Sequence, residues 1–116
     1  MIDRELLKGS ISILVLELLA NKDMYGYEII KELDTRSNNV FSFKEGTLYP
    51  VLHTLEKHGY IFSYWEDTNR ARKRKYYHIT DGGISELSRK QGQWKIFSEA
   101  MNNILKGGNS YAQNCV

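Results

Sequence analysis

Apolar residues recur at helical spacing near the start of the chain. Leu7, Ile11, Leu14, Val15 and Leu18 fall on one face, and Ile13, Leu16 and Leu19 carry that face around the helix. The pattern predicts a helix from Asp3, a candidate N-cap, to Asn21. An ordinary surface helix is apolar along one stripe only. Such breadth therefore predicts a central core position or a face shared with a partner, and a small domain has little room for the first. Asn21-Lys22-Asp23 breaks the pattern. A second helix is expected from an Asp23 cap to Arg36, with Tyr27, Ile30 and Leu33 turned inward and Ser37-Asn38-Asn39 as its end.

A third helix follows. Ser42 and Glu45 stand at capping-box spacing, and Leu48, Val51, Leu52 and Leu55 form its apolar face. His58-Gly59 supplies the stop. Pro50 allows two readings. The helix starts near Thr47 and holds the proline in its first turn, or starts earlier and presses the proline ring on the carbonyl of Gly46. Beyond Gly59 the composition changes. Tyr60–Trp65 and Lys75–Thr80 are aromatic and β-branched, and read as two strands joined by a polar connection. Thr80 or Asp81 then caps a long last helix to about Lys106, and a frayed tail from Gly107 is expected.

Three helices, a hairpin and a final helix predict a mainly α fold with a two-stranded wing, the winged helix-turn-helix, extended by a long C-terminal dimerisation helix. Residues 1–80 form the expected DNA-binding region. Residues 81–106 form the dimerisation helix of the same single domain, and residues 107–116 a disordered tail.

Composition sharpens this picture. The 116 residues are 41% hydrophobic and 26% charged, as in an ordinary single globular domain. The net charge of +2 is too small to imply a polyanion partner alone. Its distribution is more telling. Residues 1–66 hold seven basic and ten acidic side chains, residues 67–116 nine basic and four acidic, and five of the six residues from Arg70 to Lys75 are cations. One compact basic patch on a nearly neutral chain predicts one localised anionic partner. The lone Cys115 excludes an intramolecular disulfide and fits a reducing compartment. No apolar run approaches the roughly 20 residues of a membrane span. Signal-peptide blocks are missing from the N-terminus, so a cytoplasmic protein is expected.

The outward side of the third helix presents Gly46, Pro50, His53 and Lys57, flanked by Thr47, Tyr49 and Thr54, with no carboxylate after Glu45. A solvated face usually mixes Glu with Lys. Hydroxyls and an imidazole suit base edges and phosphates in a major groove. Arg70, Arg72, Lys73, Arg74 and Lys75 at the hairpin would reach phosphates flanking the groove, against the plainer reading of a soluble charged loop. On the last helix, Leu87, Trp94 and Met101 repeat every seven residues, and Phe97 and Ile104 form a second such series. This is the spacing of a helix-bundle seam, so these five are expected at a dimer interface with Leu7, Ile11 and Leu14 of the first helix. Trp94 is either core of that seam or the wall of a cleft that stacks a planar ligand. His53, His58 and His78 show no metal-ligand spacing. Neither a phosphate loop nor a nucleophilic or acid–base set is visible, so no enzyme, metal or cofactor is expected.

Four stretches carry a resemblance: Tyr25-Gly26-Tyr27-Glu28-Ile29, Gly46-Thr47-Leu48-Tyr49-Pro50-Val51-Leu52, Leu55-Glu56-Lys57-His58-Gly59-Tyr60-Ile61, and Arg74-Lys75-Tyr76-Tyr77-His78-Ile79-Thr80. In this order and spacing the chain resembles the PadR family of bacterial transcriptional regulators, from about Leu6 to Leu105. The resemblance implies a homodimer whose last helix packs on the partner's first helix. It implies a recognition helix turning Thr47, Tyr49 and His53 to DNA, with Arg74 and Lys75 beside phosphates and Tyr25 facing the backbone. Some relatives bind aromatic compounds between subunits, near a tryptophan placed like Trp94. The single C-terminal helix points to the shorter branch of the family. Two departures stand out. The wing reads Asn69-Arg70-Ala71-Arg72-Lys73 where many relatives carry Gly and Pro, and Asp81-Gly82-Gly83 carries an extra glycine, expected to loosen the last helix's start.

The expected protein is therefore a repressor that binds a pseudo-palindromic double-stranded DNA operator as a homodimer and is released by a small aromatic effector. Its expected DNA contacts are Tyr25, Thr47, Tyr49, Pro50, His53, Arg72, Lys73, Arg74 and Lys75, and its expected effector contact is Trp94. The alternative is a winged-helix protein-interaction module without DNA binding, which the basic wing argues against.

Overall fold

The computed structural model describes residues 9–68 and 72–114, the side chains of 107–114 excepted. Within them the order is α1 (Ile11–Asn21), β1 (Met24–Tyr25), α2 (Gly26–Arg36), α3 (Glu45–Lys57), β2 (Ile61–Asp67), β3 (Lys73–Ile79) and α4 (Asp81–Asn114). The antiparallel sheet has the order β1-β3-β2. The wing is thus extended by a short third strand that the sequence pattern did not reveal. Met24 and Tyr25 pair with Tyr77 and Tyr76.

One core joins every element. Val15, Leu16, Leu18 and Leu19 of α1 meet Ile29 and Leu33 of α2, Leu48, Leu52 and Leu55 of α3, and Ile61, Tyr77 and Ile79 of the sheet. The breadth of α1's apolar surface is therefore used inside its own subunit. Ile11 and Leu87, expected at the dimer seam, are both buried in this core, and Leu14 packs partly against it. The reason is geometric. The first turns of α4 lie on α1, where Gln91 Nε2 donates to Glu17 Oε2 at 2.9 Å. Leu7 and Asp3 lie outside the described residues.

Helix ends correct several expectations. Asp23 does not cap α2, because Met24 and Tyr25 are drawn into the sheet. The Tyr25 N–H instead donates to Glu28 Oε1 at 3.3 Å. The Ser42–Glu45 box does not form either; Lys44 is the N-cap of α3 and makes no side-chain cap bond. Pro50 sits inside α3. It removes the bond that would end on the Gly46 carbonyl, at an exposed point with open space around Gly46. Gly59 stops α3 at φ +77°, with Gly59 N–H donating to Glu56 O at 3.0 Å and Tyr60 N–H to Leu55 O at 3.0 Å, a Schellman motif.

That stop is bolted to the next helix. Thr80 Oγ donates to the Gly59 carbonyl at 2.6 Å and accepts the Gly83 N–H at 3.0 Å, so Thr80 rather than Asp81 caps α4. A Cβ at Gly83 would overlap the Tyr60 carbonyl oxygen and lie 2.6 Å from Ile79 Cγ1. The extra glycine therefore admits a close contact rather than loosening the helix. α4 passes Gly92 uninterrupted and continues beyond Lys106 to Asn114, where a frayed tail was expected.

Gly83→Ala is expected to destabilise the fold by about 1–3 kcal/mol, because backbone and not a mobile side-chain tip must yield. Gly82→Ala, which meets nothing closer than 3.6 Å, serves as the control. Denaturant midpoints of the two variants check this, and equal midpoints would remove the contact as a constraint.

Candidate nucleic-acid interface

The site grows from strand β3. Alternation sends Lys73, Lys75, Tyr77 and Ile79 to one face and Arg74, Tyr76 and His78 to the other. Tyr77 and Ile79 are buried, so the first face is pinned to the core at one end and carries lysines out of it at the other. Lys75 stands directly across from Trp65, with its ammonium 5.9 Å from the Tyr77 ring centre. Arg74 faces Glu66 and Lys73 faces Asp67 across the ladder. Arg72 has a different role: its carbonyl accepts the Thr68 N–H at 3.0 Å and the Thr68 hydroxyl at 2.6 Å, which closes the strand ends. Arg70 and Ala71 lie outside the described residues.

The other face of the sheet is an aromatic ladder. The Arg74 guanidinium lies 4.5 Å from the Tyr25 ring centre. Tyr25 meets Tyr76 edge-on at 5.4 Å, and Tyr76 stacks on Tyr64 at 5.9 Å. Tyr64 donates its hydroxyl to Asp23 Oδ2 at 2.6 Å, and His78 Nδ1 donates to Asp23 Oδ1 at 2.7 Å. Asp23, expected as a helix cap, is thus the acceptor that ties the α1–β1 turn to the wing sheet. Burial pushes the Asp23 carboxyl up, but the hydrogen bonds from Tyr64 and His78 outweigh it and hold the group below its usual range. The same bond, with burial, pushes the Tyr64 phenol up to about 12.

On α3, Thr47, Pro50 and His53 are exposed along the outward side, as expected. Thr54 turns back, donating its hydroxyl to the Pro50 carbonyl at 3.0 Å, so that donor is spent on the helix. Tyr49 is partly a packing residue: a Cβ at Gly26 would lie 2.7 Å from its hydroxyl. Gly26 is what lets α3 approach the start of α2 this closely.

These elements enclose a cleft of about 340 Å³. Tyr25, Gly26 and Tyr27 form the α2 side and Tyr49 the α3 side, while Trp65, Arg74, Lys75 and Tyr77 form the sheet side. No carboxylate lines it. The cleft brings together Tyr25, Tyr49, Arg74 and Lys75, four of the expected DNA contacts, and adds Gly26, Tyr27, Trp65 and Tyr77, which were not among them. Trp65 faces the cleft because it pairs with Lys75, a register that periodicity alone does not give.

Residues 15–89 match the Transcriptional regulator PadR-like family. The chain belongs to this family. It is 38% identical to an uncharacterized protein of Lysinibacillus sphaericus, over 92% of this chain and 98% of that one. Among solved structures it is similar to a transcriptional regulator from Clostridium thermocellum, at 34% identity and TM-score 0.82 over 89% of this chain and 97% of that one. It is similar as well to a PadR-like transcriptional regulator from Bacillus cereus, at 32% identity and TM-score 0.76 over 87% and 96%. PadR proteins are transcriptional regulators and not enzymes, which agrees with the absence of a catalytic set from the sequence pattern. The PadR match contains the whole cleft and stops within α4.

Past that limit, α4 leaves the body of this PadR protein. Trp94 and Phe97, with ring centres 5.7 Å apart, are each more than half exposed, as is Ile104, while Met101 is 42% exposed. Among the described residues no helix is long and apolar enough to cross a membrane.

The Asp23 bonds carry a pH signature of opposite sign at each end. Asp23 titrates below its ordinary value, so its contribution to stability is present above the unfolded-state value and disappears as pH falls through the folded one. Tyr64 titrates high, so its share is present below 10 and disappears as pH rises through about 12. In wild type one tyrosine should titrate last, near 12, and Asp23→Asn should return it toward 10, read from phenolate absorbance. An unmoved late tyrosine in that variant would remove the carboxylate as the cause.

Proposed function

We propose that this PadR-family regulator is a cytoplasmic repressor that binds a pseudo-palindromic double-stranded DNA operator as a homodimer. One observation carries the reading: Tyr49 of α3 and the cationic end of β3 line one cleft with no carboxylate in its lining, and Thr47, Pro50 and His53 are exposed on that same helix. Thr47, Pro50 and His53 enter the major groove and read base edges, and Lys73, Arg74 and Lys75 hold the flanking phosphates. Tyr25 and Tyr49 border the backbone that runs between helix and wing. Arg72 joins the phosphate contacts from the strand end.

Dimerisation follows from α4. Trp94, Phe97, Met101 and Ile104 form an apolar stripe that the described residues leave exposed. A second copy is the occupant with the same heptad spacing, and it sets two recognition helices about one DNA turn, roughly 34 Å, apart. Trp94, beside Phe97 in that seam, is the contact for a small planar aromatic effector, whose binding releases the DNA by shifting the two α4 helices.

Lys75→Ala should weaken binding to every duplex alike and lower the slope of log affinity against log salt by about 1. His53→Ala should lose more on operator than on random DNA. Anisotropy titrations across a salt series check both; an unchanged slope removes Lys75 from the phosphate contacts, and equal losses remove His53 from base reading. Phe97→Glu combined with Ile104→Glu should leave a folded monomer by sedimentation equilibrium. A dimer persisting in that variant would place the interface elsewhere.

A further inference from the structure

Trp65 has no explanation in the fold. It lies on the wing with 64% of its surface exposed. It is on the strand face that Tyr77 and Ile79 anchor in the core, but it has run out beyond that core. Truncating it would remove no residue of the buried core. A large indole kept in water costs apolar exposure that a polar residue would avoid. Its neighbours give it a use. Lys75 is its direct cross-strand partner, and Arg74, Tyr27 and Tyr49 border the same cleft.

The cleft has the character of one nucleotide's backbone. A nucleotide unit is an anionic phosphate joined to a flat, largely apolar sugar. Two cations and no acid suit the first, and an exposed indole plane suits the second. The volume of about 340 Å³ is sufficient for one such unit.

We infer that Trp65 is a DNA contact: its indole packs on the deoxyribose of the strand passing between α3 and the wing, while Lys75 holds the adjoining phosphate. The inference rests on the DNA-binding reading above and adds a residue to it. Trp65 acts as a depth stop. A ring seated on the sugar limits how far α3 enters the groove, and because every nucleotide carries the same sugar it adds no sequence preference. The contact is apolar and releases no counterion, so its energetic signature differs from that of Lys75.

The test compares wild type, Trp65→Ala and Trp65→Phe on two probes: a mixed-sequence duplex and the DNA immediately upstream of the protein's own gene. Trp65→Ala should weaken binding about tenfold, the loss that corresponds to partial burial of an indole. The factor should be the same on both probes, and the salt slope should stay unchanged. Trp65→Phe should recover most of the affinity, because a smaller ring still covers the sugar. Thermal unfolding should show all three proteins equally folded. Affinity within twofold of wild type in Trp65→Ala overturns the inference and leaves the DNA-binding reading standing. A lowered salt slope also overturns it, because Trp65 would then act by holding Lys75. Failure of wild type to bind either duplex overturns the DNA-binding reading itself.

Discussion

Burial of Tyr77 and Ile79 on one face of β3 is the constraint on which the rest of the molecule depends. A strand's side chains alternate with period two, so a slip of one residue would turn both of these core side chains outward. That cost fixes the register of β3 against β2 and β1 at once. Everything functional is then placed by counting along the strand. Lys75 falls two residues from Tyr77 on the same face, Arg74 and Tyr76 fall on the other, and Trp65 is fixed as the partner of Lys75. The cations are positioned by a hydrophobic contact, and their own attractions contribute little to where they stand.

This explains which parts were legible in the sequence. The α3 face of Leu48, Leu52 and Leu55 and the hairpin were readable because each has a period of its own. The stop at Gly59 was readable because glycine is the residue a left-handed cap position favours. Features with no local period were not. Strand β1 is two residues long and exists only because β3 offers it an edge. The role of Asp23 depends on Tyr64 and His78, 41 and 55 residues away. A helix cap was the sensible local reading of an aspartate followed by helical spacing, and long-range pairing overrode it. Gly83 shows the same limit. Whether a glycine loosens a helix or admits a neighbour is decided by what stands opposite, here the Tyr60 carbonyl.

The apolar surface of α1 and that of α4 divide in a way that spacing alone could not foresee. Both have more apolar positions than one stripe requires. α1 spends its surplus on its own subunit because three helices and the sheet converge on it. Leu87 is the last α4 position to share in that hydrophobic core, and beyond the Gln91–Glu17 bond the helix leaves the body. The heptad series beginning at Leu87 therefore crosses a boundary. Its first member is monomer core, and Trp94 and Met101 are exposed. A repeat reports the face of a helix without saying which neighbour covers each turn.

The connection between α4 and the wing gives the proposed effector a route that needs no flexible hinge. Thr80 closes β3, caps α4 and is bonded to the Gly59 carbonyl that ends α3. One residue thus joins the strand that bears the cations, the stop of the proposed recognition helix, and the helix that carries Trp94. The Gly83 contact with Tyr60 brings these elements too close for one to move alone. A rotation of α4 at the proposed dimer seam would therefore carry the proposed recognition helix and the wing with it as a unit. Two such units fixed to one duplex tolerate little change in separation, because the half-sites they read are spaced by the DNA turn. A small shift at Trp94 can then defeat binding through the distance between reading heads, with no change inside either one.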